Sequence, residues 1–157
     1  MGFTTFKNNY LSKVDSGGFK TSDETAEFIA SEYDKAVSLP TSMATATGPI
    51  ATPGGGTTAL ENYLKNSFAT GTLPPVLEAG LLPALSTYWT GVITSLAFTT
   101  VPVAGIVGIP PVSNLIGSAD TTEDFLDQLI GAFEMHLSGI GWLHSAGVTV
   151  DTGWTVL

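Results

Sequence analysis

"AGLLPALSTYWTGVITSLAFTTVPVAGIVGIPPVSNLIGS", Ala79 to Ser118, is forty residues without one charged side chain. Three environments accept such a run: a bilayer, a buried core, and a surface covered by neighbouring subunits. A membrane-spanning helix needs about 20 consecutive apolar residues. Here Pro83, Pro102, Pro110 and Pro111 interrupt the run, and the stretch between Pro83 and Pro102 is rich in Ser and Thr. Neither flank supplies the Lys or Arg that would orient a span. A membrane-active holin-like or pore-forming protein using segment 84–101 is therefore the alternative, and core plus covered surface the main expectation.

The first part of the run has helical spacing. Leu85, Tyr88, Trp89, Val92, Ile93 and Leu96 form one stripe, and Pro74-Pro75 can open a helix because the first-turn N–H groups have no intrahelical partner. Pro83 should kink or split this segment, leaving a helix from about 84 to 98. Residues 99–118 are apolar but broken by three prolines, which suits neither a helix nor a central strand. This Pro-rich loop is expected to be extended and to need an outside surface to lie against, since large exposed apolar patches mark contact surfaces.

Working outward, the same periodicity marks further helices. Phe3, Phe6, Tyr10, Leu11 and Val14 share a face, and Gly17-Gly18 closes that helix. Thr21 or Ser22 caps a second, with Asp23 and Glu24 in its first turn and Ala26, Ile29, Ala30, Tyr33, Ala36 and Val37 as its stripe. Pro40 ends it, and residues 41–58 form a flexible Gly/Pro/Thr loop without periodicity. Leu60, Tyr63, Leu64 and Phe68 line a third helix, closed by Gly71. The final helix begins with a capping-box-like pair, Asp120 with Glu123 or Thr121 with Asp124. Phe125, Leu126, Leu129, Ile130, Phe133 and Leu137 then follow at helical spacing. Residues 147–157 are β-branched and read as an extended C-terminal tail. The expectation is one all-α domain over residues 1–157, a compact bundle of four or five helices with long loops.

Charge excludes several functions. Only 12 % of residues are charged, against about 25 % in an average soluble protein. Net charge is −9, there is no Arg, and the five lysines (Lys7, Lys13, Lys20, Lys35, Lys65) all precede residue 66. Phosphate contacts need Lys and Arg, so nucleic acid is not an expected partner, and anionic membranes would repel the chain. Cysteine is absent, which removes disulfides and thiolate metal sites. The N-terminal stretch has no apolar signal-peptide core, so cytoplasmic synthesis is the expectation.

No pattern carries chemistry. His136 and His144 are eight residues apart with two glycines between them, whereas a helical ligand pair needs i, i+3 or i+4 spacing. His136 reads instead as a polar-face or interface residue near a helix C-terminus. "PGGGTT" at Pro53–Thr58 lacks the lysine and the preceding strand of a phosphate loop. Asp120, Glu123, Asp124 and Asp127 lack the spacing of a calcium loop. Trp89, Trp142 and Trp154 are core or contact anchors. No catalytic, cofactor-binding or metal residues are assigned, no cofactor or small-molecule ligand is expected, and the chain reads as a non-enzyme.

Two stretches carry a resemblance. "LENYLKNSFA" (Leu60–Ala69), followed by a proline break and "LPALSTYWTGV" (Leu82–Val92), is one; "SADTTEDFLDQLIGAFEMHLSGI" (Ser118–Ile140) with its Thr/Val-rich tail is the other. Together with the Ala/Thr/Gly-rich, cysteine-free composition they resemble small virion structural proteins of tailed bacteriophages, those of the neck, tail or baseplate. That resemblance implies an assembly role, homo- and hetero-oligomeric partners, and residence in the virion after synthesis in the host cytoplasm. The contact residues are expected in the two extended segments. In the first these are Val101, Val103, Ile106, Val107, Ile109, Val112, Leu115 and Ile116. Trp142 joins them, with Val148, Val150, Trp154, Val156 and Leu157 of the tail. Both segments are expected to lie against other chains and to be mobile in an isolated subunit.

Overall fold

Glycine and threonine positions set the ends of most elements in the structure, a computed structural model that describes residues 2–37, 40–41, 57–72, 74–92, 103–107, 115–144, 150–151 and 155–156. Helix α1 (Gly2–Asp15) stops where Gly17 and Gly18 take φ of 125° and 74°, which lets the Gly18 N–H donate to the Lys13 carbonyl at 3.0 Å. Side chains with a Cβ are strained there. Thr21 caps α2 (Ser22–Ala36) by accepting the Glu24 N–H, and the Glu24 carboxylate in turn accepts the Lys20 N–H at 2.8 Å. Thr121 caps α5 (Thr122–Gly139) in the same way through the Asp124 N–H. Of the two capping pairs the sequence offers, Thr121 with Asp124 is therefore the one used.

Helix α3 (Thr57–Thr70) ends at Gly71, with φ of 63°. Helix α4 runs unbroken from Pro74 to Val92 with Pro83 inside it. The expected split at Pro83 does not occur. Proline removes one N–H and therefore one bond to the carbonyl four residues back, but Pro83 and Ala79 both lie on the exposed side of α4, where a carbonyl without its helical donor is accessible to solvent and costs little. Leu81, Leu82 and Leu85 on the other side are buried and hold the helix together across the proline.

Among the described residues five helices build the bundle, with α2 against α1 and α3, α3 against α4, and α5 against α1 and α4. Their stripes meet in one aromatic core. The Tyr33 ring lies 4.7 Å from Phe133, 5.1 Å from Tyr88 and 6.1 Å from Phe3 between centroids, and its hydroxyl oxygen accepts the Trp89 indole N–H at 2.9 Å. Beside it the Tyr88 hydroxyl donates to the Asp34 carboxylate at 2.5 Å. Burial holds the Tyr33 and Tyr88 hydroxyls well above the usual tyrosine range, so both remain protonated wherever the chain is folded.

Short strands complete the fold, and here the backbone pairing is informative. β1 (Pro40–Thr41) pairs antiparallel with β5 (Thr155–Val156). β2 (Val103–Val107), β3 (Gly141–His144) and β4 (Val150–Asp151) form a second antiparallel sheet with β3 in the centre. The long-loop regions 42–56, 93–102 and 108–114 lie outside the described residues.

Two substitutions test this packing. A Cβ at Gly80 would overlap the ring and hydroxyl of Tyr63, whose O–H donates to the Leu77 carbonyl at 2.6 Å. Gly80→Ala is expected to destabilise by about 1–3 kcal/mol in urea unfolding, while Gly117→Ala, with open space around the new methyl, stays within about 0.5 kcal/mol of the parent. Tyr33→Phe removes the buried hydrogen bond from the Trp89 N–H and should cost about 0.5–1.5 kcal/mol.

Candidate interaction surface

The two segments expected to make contacts converge on one strand. In β2 and β3, Val103 pairs with His144, Ile106 with Trp142 and Val107 with Gly141; from the other side Val150 pairs with Leu143 and Asp151 with Trp142. Ile106, Trp142 and Asp151 therefore form one cross-strand row. Five expected contact residues (Val103, Ile106, Val107, Trp142 and Val150) are gathered in a three-stranded sheet, and Val156 pairs with Pro40 in the two-stranded one. Val101, Ile109, Val112, Val148, Trp154 and Leu157 lie outside the described residues.

Both segments, expected to be extended, thus find main-chain partners within the chain itself. Pro102 immediately precedes β2, the first-residue and edge positions being those where sheets tolerate proline. β2 is an edge strand, and its register shifts between Val103 and Gly105, a bulge of the kind common at sheet edges. The tail likewise pairs with β3 and β1 of the same chain rather than waiting for a neighbour.

The end of the Pro-rich segment is also tied down. Ile116 was expected at a contact; it is instead 2 % exposed and part of the helical core. Its N–H donates to the Glu78 carboxylate on α4 at 2.9 Å. One residue on, the Gly117 N–H donates to the Gln128 side-chain oxygen, and the Gln128 amide donates to the Ser118 carbonyl. Leu115, half-exposed, remains available. Glu78 was missed as an anchor, although a signal existed: it is the last charge before the long uncharged run, in a helix with no other charged side chain.

His136 also departs from expectation. It is fully buried on α5, its Nε2 is 2.9 Å from the Ser86 hydroxyl on α4, and its Nδ1 has no hydrogen-bond partner among the described residues. A helix C-terminus favours a cation by about 0.3–1 kcal/mol. Burial opposes it more strongly, holding the pKa down at about 4 instead of 6.5, a cost on the order of 3 kcal/mol for the charged form. Burial wins, and the imidazole is neutral at pH 7.

Charge is organised within the helical bundle. Lys7 joins α1 to α5 through Glu123 and Asp127; Lys13 reaches Glu24 on α2; Lys65 on α3 takes Glu27 of α2 and Glu61 of its own helix. Buried Glu32 accepts from Asn9 on α1 and from Lys35. Asp120 and Asp124 stay exposed. Among the described residues no group of three or more His, Asp or Glu side chains could hold a metal ion, and no helix is long and apolar enough to cross a membrane. No protein-family profile, curated protein or solved structure matches the chain.

The Glu78 anchor gives a local prediction. Glu78→Ala should speed amide exchange at Ile116 by tenfold or more, whereas Glu78→Gln retains an acceptor oxygen and most of the protection. An Ile116 amide equally protected in both variants would show that the carboxylate does not hold this segment.

Proposed function

We propose that this chain is a non-enzymatic structural subunit of a symmetric multi-subunit assembly, and within that class a virion component of a tailed bacteriophage, in the neck, tail or baseplate. The observation that carries the reading is the convergence of the uncharged segment and the C-terminal tail on a single sheet. β2 is an edge of that sheet, and among the described residues no further strand pairs with its outer side. An edge strand in an apolar, uncharged stretch is a template for main-chain pairing with another chain. Partners are then further subunits, of this chain and of others, and the place of action is the particle after synthesis in the host cytoplasm.

Charge supports the same reading. Four of the five lysines have carboxylate partners within the chain, so the surplus acidity disfavours nucleic acid and anionic lipid as partners. A membrane-active role has no comparable support. The described part of segment 84–101 belongs to α4, whose Leu85, Tyr88 and Trp89 are buried in the bundle.

Sedimentation velocity over a wide concentration range tests assembly directly. Mass-dependent association, reduced by a charge at Ile106 (Ile106→Lys), is expected; a sharp monomer at the highest concentration would overturn the reading. Removing residues 151–157 should leave the helical circular dichroism intact and weaken association at least tenfold. Loss of the helical signal would place the tail in the core instead.

A further inference from the structure

We propose that His136 is an acid-operated latch between α4 and α5, which holds the C-terminal turn of α5 closed while the ring is neutral and releases that turn, with strand β3 behind it, when the ring takes a second proton. The geometry is a one-partner imidazole. Nε2 faces the Ser86 hydroxyl at 2.9 Å, and Nδ1 is buried without any partner among the described residues. A neutral ring satisfies Ser86 in either tautomer: Nε2–H donates to Oγ, or Oγ–H donates to Nε2. The imidazolium carries N–H on both nitrogens, and the one at Nδ1 would point into the core with no acceptor. A buried unpaired donor on a cation is among the costliest arrangements a core can hold. Opening the turn to water is the available escape.

Among the described residues no neighbouring charge relieves the cation. On α4, the Glu78 carboxylate accepts the Ile116 N–H, and the Tyr88 hydroxyl is given to Asp34 of α2. Tyr33 of α2 receives Trp89. On α1, Lys7 is held by Glu123 and Asp127, and Tyr10 lies against Phe19 and Phe28. β5 has no ionisable side chain, and Glu134 on α5 itself is exposed. The ring's low proton affinity has burial as its cause, with no charged neighbour contributing.

What the latch holds follows from chain order. The His136 carbonyl accepts the N–H of Ile140, which is buried and leads directly into Gly141, the first residue of β3. β3 is the central strand of its sheet, so loosening the turn loosens the anchorage of β2 and β4 together. The direction of the pH effect is fixed. The unfolded or opened chain binds more protons between pH 6.5 and about 4, so closure is full above that window and weakens as pH falls through it, by up to about tenfold per pH unit.

Amide exchange on the full chain, with intrinsic rates divided out, reads this opening. Between about pH 6.5 and about pH 4.5, exchange at residues 137–144 should rise at least tenfold relative to α2, and the rise should vanish in His136→Gln, which keeps a donor for Ser86 but cannot be charged. An equal rise in both chains overturns the latch. Should His136→Gln fail to fold, nitrogen-15 shifts of the wild-type ring decide. A ring neutral until the turn opens supports the latch, and one that titrates near 6.5 in a closed chain removes it.

Discussion

The ring and hydroxyl of Tyr33 touch Phe3 of α1, Tyr88 and Trp89 of α4 and Phe133 of α5, so three helices depend on a side chain from α2. Surface ion pairs in this bundle cannot substitute for that contact. Exposed pairs contribute about 0–1 kcal/mol each, whereas removing a buried aromatic ring costs about 3–5 kcal/mol. The ion pairs of Lys7, Lys13 and Lys65 cross between helices already apposed by the core, and they fix azimuth more than they add stability. Helix α3 joins differently, through buried Leu60 and Leu64 and the close approach of Tyr63 to Gly80.

Helices whose signals are local could be read from the chain. The stripe of α2, its Thr21 cap and the Gly17-Gly18 stop involve residues within a few positions of one another, and each appears in the structure as expected. Pro83 was misleading because a local rule met a tertiary fact: the bond it deletes faces water, while the leucines around it are buried. Sheet pairing lay beyond the sequence for a different reason. Val103 and His144 are 41 positions apart (144 − 103), and nothing in either short segment specifies the other. The burial of His136 and Ile116 likewise depends on which distant residues, Ser86 and Glu78, arrive beside them.

Seen from the fold, the uncharged run from Ala79 is three objects. Through Val92 it completes α4, where Leu81, Leu82, Leu85, Tyr88 and Trp89 supply core. At Val103–Val107 it becomes an edge strand, and at Ile116–Ser118 it is strapped to α4 and α5 by Glu78 and Gln128. The first and last of these are buried in or tied to the helical bundle, and β2 lies beside α4. The middle part has its backbone half satisfied by β3, and an edge strand offers its remaining N–H and C=O groups outward.

That division bears on how copies could meet in an assembly of the proposed kind. Four lysines are engaged with carboxylates inside the subunit, and acidic residues such as Asp15, Asp23 and Asp124 remain exposed on the helices. Helical faces of two such subunits would repel, by an amount that salt screens only beyond about 8–10 Å. The β2 strand has no charged side chain, and pairing along its edge uses main-chain groups, whose geometry is indifferent to side-chain charge. Repulsion elsewhere then acts as a selector: it penalises every approach except the one that leads with the sheet. In the proposed assembly an acidic bundle and a neutral edge would form one device, with the charge supplying direction and the strand supplying the contact.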